Sequence, residues 1–330
     1  MPIVSVLMTV FNGERWLSEA IQSVLGQSFT DFEFIIVNDG SCDGSFKLIN
    51  LFADQDPRIR VFDKPNTGLS DSLNYGLARA CGEWIARIDA DDICESDRLE
   101  RQIALAQSNS EIVFVGTGLT IINETGSKLA TYLYPTTHYR LSRNLLFLKK
   151  FPAHSSALYK TSMVRELGGY RVRFKSSEDL DLWLRLYNMG EFRSIGAPLV
   201  RYRKHDKQIS LDEFGRKILL YARIAHVSFW VRQLGHSDPV DGSEYQFNCF
   251  VSWMRYKLVK HNVYKNHERL FLIQSKVANS PSFLVNIPYL FFNFLLHPIF
   301  LIFFIKRFFF VDLQARRLAL EWLKLEKPHI

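Results

Sequence analysis

The chain has 330 residues and a formal net charge of +7, long enough for one large domain with an appendage. Basic charge suits a phosphorylated partner, an anionic membrane or nucleic acid, and the absence of an arginine-rich arm or zinc motif sets nucleic acid aside. Four cysteines, Cys42, Cys81, Cys94 and Cys249, lack paired metal spacing and read as reduced thiols of a cytosolic protein. The N-terminus has no charged n-region or cleavage site, so no signal peptide is expected. Ile3 to Val10 is apolar and β-branched, a buried strand that Phe11-Asn12-Gly13 interrupts. A helix from about Glu14 carries Trp16, Leu17, Ala20, Ile21, Val24 and Leu25 on one stripe. Phe32 to Val37 is a second strand, with Asn38-Asp39-Gly40-Ser41 as its exit, and Asp43 to Ala53 a second helix.

A third strand, Ile59 to Phe62, leads into Lys64-Pro-Asn66-Thr-Gly68. Ser70 or Asp71 is expected to cap the next helix, which runs to about Ala80. Trp84 to Ile88 is a fourth strand, and it ends in Asp89-Ala90-Asp91-Asp92. Short loops between alternating strands and helices predict a parallel sheet with helices on both faces. The four polar strand exits then lie along one edge, where such sheets bind ligands. No glycine-rich dinucleotide fingerprint and no P-loop occur, so bound phosphates need a metal and side chains. Crowded carboxylates at the fourth exit suit a hard divalent ion; they equally suit an acidic helix start.

Several ordered motifs carry a resemblance. Val4-Ser-Val-Leu-Met-Thr-Val-Phe-Asn12, Gln22 to Gln27, Phe34-Ile-Ile-Val-Asn-Asp39-Gly40-Ser41, Asn66-Thr-Gly68, Asn74-Tyr-Gly76 and Ile88 to Asp92 match in order. Ser177-Glu178-Asp179-Leu-Asp-Leu-Trp183-Leu-Arg185-Leu186 and Tyr202-Arg203-Lys204-His205 continue it. Over residues 3–210 the chain resembles the inverting family 2 glycosyltransferases of the GT-A fold. The resemblance implies an α/β, Rossmann-like, mostly parallel sheet flanked by helices, and transfer of a sugar from a nucleotide-sugar donor, UDP-linked by preference. It implies that Thr9, Phe11 and Glu14 line the base and ribose pocket and that Asp39 accepts from uracil or ribose. It further implies that Lys64, Asn66, Gly68 and Asn74 face the base or diphosphate, with Ala90 lying in the same donor site. Asp89 would contact ribose or metal, Asp91 would ligate Mg²⁺ or Mn²⁺, and Asp92 would cap the following helix. An Asx-turn role for Asp39 and a solvated Lys64 are the plainer alternatives.

Later elements continue the pattern. Ile112 to Gly116 and Ser155 to Tyr159 read as strands, Asn123 to Gly126 as a hairpin turn, and Gly168-Gly169-Tyr170 as a loop. Ser177-Glu178-Asp179 opens a helix with Leu180, Trp183, Leu184 and Tyr187 on its apolar face. A carboxylate there suits a helix N-terminus. Inverting transfer also needs one group to take the acceptor hydroxyl's proton, and by resemblance that base is Asp179, with Asp181 as the alternative. After a strand beginning near Pro198, His205 is implied to join the metal or diphosphate, with Arg203 and Lys204 as cationic partners for phosphate oxygens.

From Leu211 the periodicity is helical: one segment holds Ile218 to Phe229, another Phe250 to Val259, and Gly235 to Pro239 reads as a linker with His236 in solvent. Val263 to Val277 reads as a basic helix, and many of the 27 phenylalanines fall after residue 280. The domain expectation is thus a catalytic GT-A domain over 1–210, a helical extension over 211–280 and a membrane-associated segment with its tail over 281–330. Phe283 to Ile305 has the length and apolarity of a span, but Pro288 and Pro298 interrupt it, and the basic tail opposes export. A monotopic anchor on the cytoplasmic leaflet is expected, placing the enzyme at the inner face of the membrane beside a glycan or lipid-linked glycan acceptor of a cell-surface polysaccharide. The competing function class is an inactive nucleotide-sugar-binding scaffold, against which the presence of both Asp91 and Asp179 weighs. A nucleotidyltransferase would want a basic glycine-rich loop after the first strand, absent here.

Overall fold

The computed structural model describes residues 1–206, 216–261 and 313–325. Met1–Leu145 with Lys149–Lys207 form one compact unit, and Leu146–Leu148 with Gln208–Ile330 the other.

In the first unit β1 (Val4–Val10), α1 (Glu14–Leu25), β2 (Phe32–Asp39), α2 (Ser45–Ala53), β3 (Ile59–Lys64), α3 (Leu69–Arg79) and β4 (Trp84–Arg87) alternate. The four strands are parallel in the order β3-β2-β1-β4, and Val6 is in register with Phe34 on one side and Ala86 on the other. This is the expected sheet. Its core forms because β-branched and aromatic residues tolerate burial on both faces: Val4, Val6, Met8, Phe34 and Ile36 pack with Leu17, Ala20, Ile21 and Val24 of α1. Those four α1 positions recur at helical spacing, and each fully buried Leu, Ile or Val contributes roughly 1.5–3 kcal/mol. Gly76 lets α3 approach the sheet, since a Cβ there would stand 2.3 Å from Leu7 Cδ1.

Beyond β4 the sheet is mixed. β5 (Ile93–Cys94), α4 (Arg98–Gln107), β6 (Ile112–Ile122), β7 (Lys128–Tyr132), α5 (His138–Leu146), a 3-10 turn His154–Ser156, β8 (Leu158–Lys160), α6 (Thr161–Glu166), α7 (Glu178–Leu186) and β9 (Glu191–Arg203) follow. The strand order continues β4-β8-β6-β9-β5, with β7 hairpinned onto β6. β8 is antiparallel to both β4 and β6, whereas β6 and β9 run parallel. Three sequence readings shift here. The strand expected over Ser155–Tyr159 begins only at Leu158, because Ser155 and Ser156 complete the 3-10 turn. β6 and β9 are longer than their apolar runs, since they pair with each other along most of their lengths. β5 is a two-residue strand that Val200 and Arg201 of β9 recruit by backbone pairing, without a hydrophobic pattern of its own. Neither Ser70 nor Asp71 caps α3: the cap position is Gly68, at φ +96, a conformation that favours glycine.

The second unit holds α8 (Arg216–Gln233), α9 (Glu244–Lys260) and a helix over 313–325, the last two packing through aromatics. Trp322 lies 4.9 Å from Phe250 and 5.3 Å from Trp253 between ring centroids. Ser243 and Gln246 form a capping box at the start of α9. The expected linker is anchored at one point: Asp238 is buried and accepts from Ser228 Oγ and Arg232, while His236 is exposed. Among the described residues no helix is long and apolar enough to cross a membrane. The expected basic helix over 263–277 and the apolar run over 283–305 lie outside the described residues.

Candidate active site

The strand exits meet along one edge through backbone and side-chain hydrogen bonds. Asn12, at the end of β1, donates its N–H to Ser41 Oγ at 3.0 Å and accepts from Cys42 N at 2.8 Å. Asp39, at the end of β2, holds the loop after β3: Oδ1 accepts from Lys64 Nζ at 2.7 Å and Thr67 N at 3.0 Å, and Oδ2 from Gly68 N at 3.0 Å. Desolvation works against the Asp39 charge, but the Lys64, Thr67 and Ser72 hydrogen bonds outweigh it and hold this carboxyl below its ordinary value. Lys64 is therefore no solvated lysine; its side chain is 9% exposed and also reaches Ser72. Gly40 sits at φ +70, and a Cβ there would stand 2.7 Å from Asn66 N. The result is a rigid turn presenting Asn66 and Gly68, with Thr9 partly buried and Phe11 54% exposed nearby on the β1 exit.

Two residues of the expected donor site also make contacts within the chain. Glu14 turns toward α2, where Oε2 accepts from Gly44 N at 2.9 Å, while Asp43 returns the contact by accepting from Glu14 N at 3.1 Å. Each acid satisfies a free amide at the other helix's start. The Asn74 amide clasps Tyr170, donating to its carbonyl and accepting from its N–H, both at 2.7 Å. Asn74 thus orders the loop before α7 through both ends of its amide.

The acidic cluster stands just past β4, where its sequence put it. Asp89, Asp91 and Asp92 each bring a carboxylate oxygen within 4.8 Å of the others. Ala90 packs toward Gly13, so the β1 and β4 exits abut. His205 Nε2 lies 2.8 Å from Asp91 Oδ2. Desolvation first, and then the Asp89 charge, raise the Asp91 carboxyl against the pull of His205. Desolvation with Asp91 and Asp89 raises Asp92 well above its ordinary value. Oxygens that repel one another at this spacing, with an imidazole alongside, are a donor set that fits Mg²⁺ or Mn²⁺. Asp92 does not cap the next helix. It is buried, it accepts from Arg203 N at 2.8 Å, and Asp97 precedes α4 instead. Arg203 also departs from expectation: its guanidinium is buried, donating to the carbonyls of Asp91 and Glu124 and to Glu19, so it braces the site from behind. Lys204 is exposed.

Glu178 and Asp179 form the first turn of α7. Ser177 precedes them at φ +59 and makes no side-chain cap; Leu180 N donates to Asp179 Oδ1 at 2.7 Å. Desolvation, then Asp179, pushes the Glu178 carboxyl up to about 7. Desolvation and the Asp89 charge raise Asp179, so this turn lies within electrostatic reach of the acidic cluster. Asp181 is occupied: Arg185 Nε at 2.9 Å and Arg171 at 3.4 Å pair with it, and its side chain is 1% exposed.

Other residues at the site were not singled out from the sequence. Arg87 is buried at the end of β4 and its guanidinium pairs with Asp89 at 2.5 Å. Its signal was present as one guanidinium inside an apolar run. Ser155 Oγ accepts from Asp89 N at 3.0 Å. Trp16, assigned to the apolar stripe of α1, instead packs against His205, with the rings tilted by 34° and 4.3 Å between centroids. His154 Nε2 meets Tyr170 Oη at 2.8 Å, and Tyr170 Oη meets Tyr159 Oη at 2.9 Å. No local pattern marks those three, since tertiary structure alone joins them.

The model of the family "Glycosyl transferase family 2" matches residues 5–168. The O-antigen biosynthesis glycosyltransferase WbnJ of Escherichia coli is 33% identical over 211 residues, covering 63% of this chain and 82% of that one. Among solved structures, S. aureus TarS 1-349 in complex with UDP-GlcNAc superposes with a TM-score of 0.57 at 18% identity, covering 69% of this chain and 67% of that chain. The mannosyltransferase PcManGT from Pyrobaculum calidifontis, in complex with GDP-Man and Mn²⁺, gives 0.54 at 15% identity over 96% of this chain and 87% of that one. At these identities the structural likeness carries the GT-A fold.

Proposed function

The chain belongs to glycosyl transferase family 2, and from that premise we propose a metal-dependent inverting transfer of a sugar from a nucleotide donor, UDP-linked by preference, to a hydroxyl of a glycan. The observation that carries this reading is the cluster of Asp89, Asp91 and Asp92 with His205 Nε2 at 2.8 Å from Asp91, whose Asp89 charge also acts on Asp179 in the first turn of α7. The turn held by Asp39 and Lys64 binds the nucleoside, with Thr9, Phe11, Asn66 and Gly68 along it. Asp91, Asp89 and His205 would hold Mg²⁺ or Mn²⁺. The bound ion would neutralise charge on the departing diphosphate. The Asp179 carboxylate takes the acceptor hydroxyl's proton as that oxygen bonds to the anomeric carbon. The bond from the anomeric carbon to the diphosphate breaks with its electron pair on the nucleotide, and the configuration inverts. Raised basicity of Asp179, from desolvation and Asp89, suits it to accept that proton.

The acceptor in this proposal is a lipid-linked glycan of a cell-surface polysaccharide at the cytoplasmic leaflet. The relative's role in O-antigen biosynthesis and the apolar sequence over 283–305 support it. The division into a catalytic domain over 1–210, an extension over 211–280 and a membrane segment over 281–330 goes with it. A cysteine placed near Glu326 and probed with an impermeant thiol reagent in intact cells should stay unlabelled; labelling would establish a span. The reaction itself is tested by screening nucleotide sugars for slow hydrolysis with Mg²⁺ or Mn²⁺. At least one donor should turn over, and excess chelator should stop it; full activity in chelator would remove the metal from the account.

A further inference from the structure

The second ring nitrogen of His154 has no role in the chemistry above. His154 opens the 3-10 turn before β8 and is partly exposed. Its Nε2 is fixed by Tyr170 Oη at 2.8 Å, which Tyr159 Oη holds in turn at 2.9 Å, both tyrosines being buried. Tyr170 is locked at its backbone by the two Asn74 hydrogen bonds. The imidazole is thus oriented by a chain of two buried tyrosines. Its Nδ1 has no hydrogen-bond partner among the described residues. A pre-oriented nitrogen without such a partner, on the turn fastened to the acidic loop, suits recognition rather than packing.

Its position selects what it recognises. The next residue, Ser155, accepts from Asp89 N at 3.0 Å, so the turn is fastened to the metal-side loop. On the other side the His154 ring lies 6.0 Å from the ring of Trp183, one turn along α7 from Asp179. In an inverting transfer the leaving diphosphate and the base flank the anomeric carbon from opposite directions. His154, joined by its own turn to the loop of Asp89 and packed on the helix that carries Asp179, is connected to both sides of that arrangement. Burial and the Arg87 charge hold the His154 imidazole well below its ordinary value, which leaves it neutral, as suits a hydroxyl in place of an anion.

We propose that His154 Nδ1 hydrogen-bonds a hydroxyl of the transferred sugar and contributes to donor-sugar selectivity, a role resting on the glycosyl-transfer reading. The test compares binding of nucleotide sugars (UDP-GlcNAc, UDP-glucose, UDP-galactose, GDP-mannose) with binding of UDP and GDP alone, in Mn²⁺, for the wild type, His154→Phe and Tyr170→Phe. Loss of one neutral hydrogen bond corresponds to about a three- to tenfold change in affinity. His154→Phe should weaken the preferred nucleotide sugar by that factor and leave its nucleoside diphosphate within about twofold. Tyr170→Phe, which keeps the ring but frees the imidazole, should give a smaller loss of the same kind. Equal losses for sugar and nucleotide ligands, or no loss for either, would overturn the assignment, and so would misfolding of His154→Phe combined with unchanged discrimination in Tyr170→Phe. Failure of the wild type to bind any nucleotide sugar or nucleoside diphosphate would instead remove the reading on which the role rests.

Discussion

Glu178→Gln should stabilise the metal-free protein at alkaline pH and do little at acidic pH. Glu178 lies in the first turn of α7, where desolvation and then Asp179 push its carboxyl from 4.5 to about 7. At about 1.4 kcal/mol per pH unit, ionised Glu178 is on the order of 3 kcal/mol less favourable in the folded chain than in the unfolded one. A carboxyl raised on folding contributes its stability in full below the unfolded value. That contribution declines as pH rises through the interval and is gone above the folded value. Glutamine has the shape without the titration. Between pH 5 and pH 8.5 the variant should therefore gain about 2–3 kcal/mol on the wild type. Urea unfolding in excess chelator at the two pH values measures this directly, chelator being needed because a bound cation would screen the same cluster. A constant difference at both pH values, or a wild type that gains on the variant as pH rises, would refute the reasoning.

Asp91→Ala removes a carboxylate oxygen from the triad and the partner of His205; Mn²⁺ binding followed by paramagnetic resonance should be lost, and transfer with it. Gly76→Ala places a methyl 2.3 Å from Leu7 Cδ1 between α3 and β1. Overpacking of about 1–3 kcal/mol should exceed the gain in helix propensity of about 1 kcal/mol, so the midpoint of chemical unfolding should fall; a rise would mean that Leu7 repacks freely.

The parallel half of the fold was legible because each strand there is a short apolar run ending in polar residues, and each helix keeps one stripe. The acidic cluster was legible for the same reason: Asp89, Asp91 and Asp92 share one strand exit. Residues whose work depends on distant partners were harder to read. Asn74 sits in a family-like motif, yet its amide serves Tyr170, 96 residues away. Arg203 looked like a phosphate ligand beside His205, but β9 turns it inward to Glu19 and the carbonyl of Glu124. β5 has no pattern because two residues need none when β9 supplies their hydrogen bonds. Trp16 satisfied the spacing of an apolar stripe while packing against His205 from the first turn of α1. Side-chain type and spacing define what a residue can do; which neighbour claims it is decided by strand order.

The assignment of Asp179 as the base is tested most directly by Asp179→Asn, which keeps the side-chain shape and the contact to Leu180 N while removing the basic oxygen. Donor affinity and the rate of sugar transfer should be measured on the same preparation with Mn²⁺. The account predicts donor affinity within a few-fold of wild type and transfer slower by about 10² to 10⁴. Normal transfer by Asp179→Asn, with loss of transfer in Asp181→Asn despite its ion pairs to Arg185 and Arg171, would contradict it.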